Sequence, residues 1–261
     1  MKITISELNF WKQHGFLHLP NLLSTHEKEL FFEAAIKMQN WPEKAGEWMK
    51  YFEYQAGQSS RTLCRIENFL PYLPVLSKVL KGQTIEHILE ELMEEKPVLF
   101  KEKCNFKMPG SAGFKAHQDA PAFTSFGQKY HITLMISVDP TTRKNGCLEV
   151  VKDRAQAQSL PMEKDLTLDT KLEKELTWVP LETKPGDVVL FNSYIPHRSG
   201  PNLTANPRRA FYITYNKLSE GSMREQYYQH KREVFPPECE RIAGKDYSLN
   251  SGVYNVGNPI K

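Results

Sequence analysis

HITLMISV, residues 131–138, is the stretch on which the fold turns. Ile132, Leu134, Ile136 and Val138 alternate with His131, Thr133, Met135 and Ser137. A period of two sends successive side chains to opposite faces, so the segment reads as a β-strand with one dry face. Working outward, short segments at 99–106, 147–151, 177–181, 188–192 and 210–216 are strand-like and separated by Pro, Gly or Asn. Many short strands in succession imply a β-sandwich or barrel.

Before Pro97 the period changes. Leu30, Phe31, Ala34, Ala35 and Met38 recur at helical spacing behind Ser24 and Glu27, which fit a capping box. Ile85, Ile88, Leu89, Leu92 and Met93 repeat that spacing between Gly82 and Pro97. Helices are therefore expected to dominate residues 1–97 and to pack outside a sheet. Strands should fill 98–218, and an extension, 219–261, should complete a single domain. That extension carries MREQYYQHKREVF (223–235) ahead of Pro236 and Pro237, which reads as a short helix and a covering loop. No internal repeat or low-complexity tract interrupts the 261 residues.

Composition narrows the class without naming a function. The formal charge of +3 is too small to imply a nucleic-acid partner, and no Arg/Lys stripe with interleaved aromatics is present. Cys64, Cys104, Cys147 and Cys239 are widely spaced and form no C-x-x-C pair, so reduced thiols are expected. The opening MKITISELNFWKQHG is too polar for a signal peptide, and no apolar run approaches the roughly 20 residues that cross a bilayer. The expectation is a cytoplasmic protein with no membrane partner.

The chemistry-bearing pattern is His117-x-Asp119, followed downstream by His197 and then Arg208. Two neutral imidazoles and one carboxylate can hold one face of a non-haem Fe(II) ion and leave the opposite positions open. Two apart on an extended strand, His117 and Asp119 would project to the same side, and a facing strand would bring His197 across the barrel mouth. His131 competes as a ligand but reads as structural, and His14, His18, His26, His87 and His230 lack comparable context. From these residues alone two alternatives stay open: a cupin-type metal-dependent hydrolase or isomerase, and a non-catalytic metabolite-binding scaffold.

The surrounding strings are more specific. NFKMPGSAGFKAHQDAPAF (105–123), NGCLEVV (145–151) and KPGDVVLFNSYIPHRSGPNLTANPRR (184–209), with a weaker EL-FW--HGFLHLPNLLS (7–24), resemble the phytanoyl-CoA dioxygenase family of Fe(II)- and 2-oxoglutarate-dependent oxygenases. The resemblance implies a double-stranded β-helix, a cupin-like jelly-roll core with flanking α-helices. It implies His117, Asp119 and His197 as iron ligands and a reaction in which O2 and 2-oxoglutarate yield succinate, CO2 and a hydroxylated C–H bond. Arg208, eleven residues after His197, then takes the far carboxylate of 2-oxoglutarate with a planar fork that lysine cannot reproduce. Arg209 would face the other way on a strand. Asp119 favours hydroxylation, since related halogenases carry a small residue there.

One position departs from the family pattern. Ala210 stands where many relatives have a Ser or Thr that also contacts the co-substrate. Thr133 or Tyr212 could supply the missing donor, and Gln118, inside H-Q-D, could reach the same ligand. For the substrate, HQDAPAF (117–123) and FGQKYHIT (126–133) are similar to bacterial members acting on small amino-phosphonate-like compounds. Lys101, Lys103, Lys107, Lys115 and Lys129 gather in the relevant strands, where they read either as solvated charges or as an anion site, and an acyl-CoA would suit them too. Asn105 and Lys107 are candidates to face the pocket. Phe114, Phe123, Phe126 and Tyr130 read as pocket wall or plain core, and Gly110 and Gly113 as a mobile entrance or an ordinary turn. Tyr227, Tyr228 and Pro236-Pro237 read as a pocket cover or a homodimer contact.

Overall fold

The computed structural model describes residues 2–54, 60–247 and 253–260. Helix α1 (Ile5–His14) and α2 (Thr25–Gln39) each begin with a reciprocal capping box, Thr4 with Glu7 and Ser24 with Glu27. Between them lies β1 (Phe16–Leu19). Then come β2 (Met49–Tyr54), β3 (Arg61–Glu67), α3 (Pro74–Leu80), α4 (Gln83–Met93) and β4 (Pro97–Lys107). The site-bearing segment follows: β5 (Phe114–His117), α5 (Ala120–Phe123), β6 (His131–Ser137), β7 (Leu148–Val151), α6 (Thr170–Glu175), β8 (Trp178–Leu181), β9 (Val188–Asn192), β10 (His197–Ser199), β11 (Arg208–Lys217) and α7 (Arg224–Val234).

The strands form two antiparallel sheets, one ordered β1-β9-β6-β11-β4-β3-β2 and the other β5-β10-β7-β8. This is the expected jelly-roll core, with two corrections. First, the amino-terminal part is not only helical: β1, β2 and β3 occupy both ends of the large sheet. Second, β6 is buried on both faces. Ile132, Leu134 and Ile136 pack outward with Ile66, Phe106, Phe211 and Ile213 beneath helix residues such as Phe31, Met38, Ile88 and Leu89. Met135 turns inward with Val189, Phe191, Ala210 and Tyr212. The helices thus cover the face that the alternating pattern marks as dry, and the other face lines the barrel.

Register sets what the barrel interior contains. Lys107 opposes Arg208; Arg65, Asn105, Ala210 and Ser137 form the next row across four strands. Glu67, Lys103, Tyr212, Met135 and Val189 form another, and Lys101, Thr214, Thr133 and Phe191 a further one. The row containing Arg65 and Asn105 and the row containing Glu67 and Lys103 carry charge where a sandwich ordinarily carries aliphatic side chains. The barrel interior is thus polar, while apolar helix packing covers the other face of the large sheet.

Candidate metal centre and co-substrate site

β5 and β10 are adjacent strands, and His117 and His197 are direct register partners with ring centroids 4.2 Å apart. His197 therefore does not reach across the barrel mouth; it stands beside His117 in one sheet. Each imidazole uses Nδ1 on a carbonyl two residues back, Lys115 O at 2.7 Å and Ile195 O at 3.0 Å. Donation from Nδ1–H fixes the tautomer that leaves both Nε2 atoms free as ligands.

Asp119 also departs from the extended geometry expected of it. The strand ends at His117, and Asp119 has φ −76° and ψ −27° at the start of α5, where Pro121 favours helical entry. The turn, tied by Ala120 N–H to Ser193 O at 2.8 Å, still delivers the carboxylate. Its oxygens lie 3.9 Å from His117 Nε2 and 4.0 Å from His197 Nε2. The three ligand atoms all fall within 4.8 Å of one another, and all three residues are buried.

Burial and the nearby His197 push the His117 imidazole down to about 3, and burial lowers His197 against the pull of Asp119. Burial opposes charge on Asp119, but His197, Lys103 and Lys101 outweigh it and hold the carboxyl below its ordinary range. Two neutral imidazoles and one carboxylate are the ligand state a divalent metal requires, so this donor set fits iron without prior loss of protons.

Arg208 is 1% exposed and donates from Nη2 to Gly146 O at 2.8 Å. Its Nε and Nη1 are buried with no partner among the described residues. Unused donors on a buried guanidinium are costly, and a carboxylate satisfies them in pairs. This is the observation on which 2-oxoglutarate fits. Beside it, Lys107 bonds Ser199 Oγ at 2.8 Å, and burial followed by the Arg208 charge lowers its ammonium to about 6. Arg209 faces away as expected, forked onto Asp139 at 2.7 Å through both Nε and Nη2.

The remaining candidates are sorted by their hydrogen bonds. Gln118 gives both amide hydrogens to the Gln158 and Tyr194 carbonyls and accepts from Leu160 N–H, so it anchors a loop instead of turning to the co-substrate. Thr133 lies on the interior face, its hydroxyl 2.9 Å from that of Thr214. Tyr212 shares the inner face with Ala210 and makes no hydrogen bond among the described residues. His131 is structural: it contacts Gln128 at 3.0 Å between Phe100 and Phe123. Asn105 and Lys107 face inward, whereas Lys115 and Lys129 are exposed.

Tyr227 and Tyr228 are buried within their own chain against Phe100, Phe123 and Glu102. Interior residues that escape the sequence reading include Glu53, Arg65, Glu67 and Lys231. Glu67 takes Arg65 at 3.0 Å and Lys231 at 2.7 Å, and the alternation Arg65-Ile66-Glu67 was the available signal. The carboxyl-terminal segment also reaches the site. Lys115 N–H donates to Gly257 O at 2.9 Å while Ile260 bridges Glu53, so this segment runs from the β5 edge to the β2 edge. Gly257 sits at φ +65°, and a Cβ there would meet His117 Nδ1 at 2.9 Å.

Comparison with known proteins agrees with this geometry. Residues 11–210 match the family model described as phytanoyl-CoA dioxygenase (PhyH). The chain is 52% identical to a 2-aminoethylphosphonate dioxygenase of uncultured bacterium HF130_AEPn_1, covering 96% of each chain. It is 39% identical to a methylphosphonate hydroxylase of Gimesia maris, covering 99% of this chain and 98% of that one. Among solved structures, EctD from S. alaskensis with 2-oxoglutarate and 5-hydroxyectoine shares the fold at a TM-score of 0.71 and 18% identity, over 84% of this chain and 77% of that one. Its triad, its unsatisfied arginine and these matches place the chain in the phytanoyl-CoA dioxygenase family, as a dioxygenase dependent on Fe(II) and 2-oxoglutarate.

Proposed function

We propose that this dioxygenase hydroxylates a small organophosphonate, with 2-aminoethylphosphonate the first candidate. The observation that carries the catalytic half of this reading is the pair of unused Arg208 donors inside the barrel that holds His117, Asp119 and His197. The substrate half is supported by the two phosphonate-oxidising relatives and by the lysines of the barrel interior. Methylphosphonate has a single carbon, bonded to phosphorus, which favours the phosphorus-bearing carbon as the position oxidised here. An acyl-CoA is the less favoured substrate, because Phe123 and Tyr227 close around Lys101 and suit a compact head group.

His117, Asp119 and His197 would hold the metal, and Arg208 would hold the far carboxylate of 2-oxoglutarate. Iron bound there would activate O2, the oxidant, with 2-oxoglutarate giving up two electrons as it becomes succinate and CO2 and the substrate C–H giving the other two as it becomes C–OH. The chain's own residues set orientation. Lys115 O and Ile195 O lock the imidazoles, Gly146 O and the register with Lys107 aim the guanidinium, and the carboxyl-terminal segment ties the β5 edge to the β2 edge through Gly257 and Ile260. Tyr212 is the donor best placed to replace the hydroxyl absent at Ala210, with Thr133 behind it. Four free thiols support a reducing, cytoplasmic setting.

The test is succinate release by Fe(II)-loaded protein supplied with O2, 2-oxoglutarate and individual phosphonates. Succinate formed in step with a hydroxylated phosphonate, and abolished by a chelator, is the expected result. Hydrolysis or isomerisation without 2-oxoglutarate consumption would move the chain to the cupin-type alternative.

A further inference from the structure

We infer that Lys101 and Lys103 form a second anion site on the inner face of β4, separate from Arg208, and that it takes the phosphonate group of the substrate. The inference rests on the phosphonate reading above and assigns it to residues. Strand β4 carries Lys101, Lys103, Asn105 and Lys107 at a spacing of two, so one strand face bears three ammonium groups. Lys107 belongs with Arg208 at one end of that row. Lys101 and Lys103 lie at the other.

Among the described residues, Lys101 and Lys103 differ from the buried cations in that their ammonium groups make neither an ion pair nor a hydrogen bond. Lys231 and Arg65 share Glu67, Arg209 is forked onto Asp139, Arg224 is paired with Glu102, and Lys50 donates to the carbonyls of Gln39 and Trp41. Lys101 is 8% exposed and makes no hydrogen bond or ion pair among the described residues. Its ammonium instead lies 4.2 Å from the Phe123 ring centroid and 5.4 Å from that of Tyr227. Lys103, which is half-buried, likewise has no such partner among the described residues and lies 5.3 Å from the Tyr212 ring. Burial lowers both ammonium groups, with Asp119 and Glu67 among the charges pulling the other way. A buried cation without a counter-charge is costly, and a ligand anion beside Lys101 and Lys103 would relieve that cost.

Position relative to the metal follows from the register. The Lys101 row runs through Thr214 and Thr133 to Phe191, whose ring is 5.0 Å from that of His197. The Lys103 row runs through Tyr212 to Met135 and Val189, in the cluster that also contains Phe191. Asn105, with a buried and unpartnered Oδ1, stands between the two cationic ends. The division matches ligand shape. A planar carboxylate suits the Arg208 fork, whereas a tetrahedral phosphonate with three acceptor oxygens suits independent point charges. A substrate fixed there by its phosphorus end would hold the adjacent carbon toward the triad.

The test measures calorimetric binding of 2-aminoethylphosphonate, without O2, to protein loaded with Fe(II) and 2-oxoglutarate, alongside succinate release in air. Wild type is compared with Lys101→Met and Lys103→Met, which keep length and remove charge. The expected result is affinity for the phosphonate weakened about 10- to 100-fold in each variant, with the Kd for 2-oxoglutarate changed by less than about threefold. The melting temperature of ligand-free Lys101→Met should be equal to or above that of wild type, because an unpaired buried charge is gone; a purely structural lysine would lower it. Unchanged phosphonate binding in both variants would overturn the site even if turnover is confirmed. Binding that is lost in the variants while wild type yields no succinate would uphold the site and reject the hydroxylation reading. No binding to wild type would reject both.

Discussion

Arg208 and Lys107 are register partners across β11 and β4 and share one acceptor, the Gly146 carbonyl, at 2.8 and 3.4 Å. The shared carbonyl fixes the guanidinium and the lysine amine side by side, and of the two only the arginine has donors unused among the described residues. Arg208→Lys should therefore fail to rescue function despite retaining charge. An increase of about 100-fold in the KM for 2-oxoglutarate, with the protein still folded, is the expected steady-state result. A KM within a few-fold of wild type would show that point charge suffices.

Gly146 itself is strained for any other residue. It has φ +75°, and an added Cβ would lie 2.1 Å from Gly200 O and 2.7 Å from Lys107 Nζ. Gly146→Ala should lower unfolding free energy by about 1–3 kcal/mol and weaken 2-oxoglutarate binding together. Denaturant melts and co-substrate titration on the same preparation check this; intact affinity in a destabilised variant would separate the turn from the site.

Asp119→Ala removes the only carboxylate of the triad. Iron content after desalting should fall at least about tenfold, and succinate release should vanish, because two imidazoles alone leave the cation charge unmatched. Chelator treatment of wild type should reproduce that loss, and added Fe(II) should reverse it only in wild type. Activity persisting in Asp119→Ala would place the metal elsewhere.

Acid should destabilise the metal-free protein through its buried histidines. Burial and the Lys101 charge push His131 from the ordinary 6.5 down to about 3, and burial and His197 do the same to His117. Between those values the unfolded chain binds protons that the folded chain refuses. Stability is thus fully present above about pH 6.5 and is lost as pH falls toward 3, by about 1.4 kcal/mol per pH unit for each such histidine. Urea melts from pH 7 to 4 should show this slope, and His131→Gln should reduce it by about one histidine's share. An unchanged slope in that variant would contradict the assignment.

The outer layer and the ligand identities were legible because each follows a local rule. The capping box at Ser24 and Glu27, the helical stripe from Ile85 to Met93 and the alternation from His131 are all local patterns, and the structure keeps them. Strands β2 and β3 were not legible, because their inward positions hold Glu53, Arg65 and Glu67, whose polarity hides the period of two until the chamber is known. Asp119 is legible by type but not in conformation, since nothing in H-Q-D announces that the strand stops two residues earlier, at His117. The anchoring bonds of Gln118 are not legible for a related reason: its three partners lie about 40 residues or more away in sequence.

The account stands or falls on whether Arg208 receives 2-oxoglutarate beside a metal held by His117, Asp119 and His197. Anaerobic protein loaded with Fe(II) and then titrated with 2-oxoglutarate should develop the weak visible charge-transfer band of the chelated co-substrate. Wild type should show it, and Arg208→Ala should lose it or need far more 2-oxoglutarate to reach it. No band in wild type with confirmed iron, or an equal band at equal concentration in Arg208→Ala, would contradict the site described.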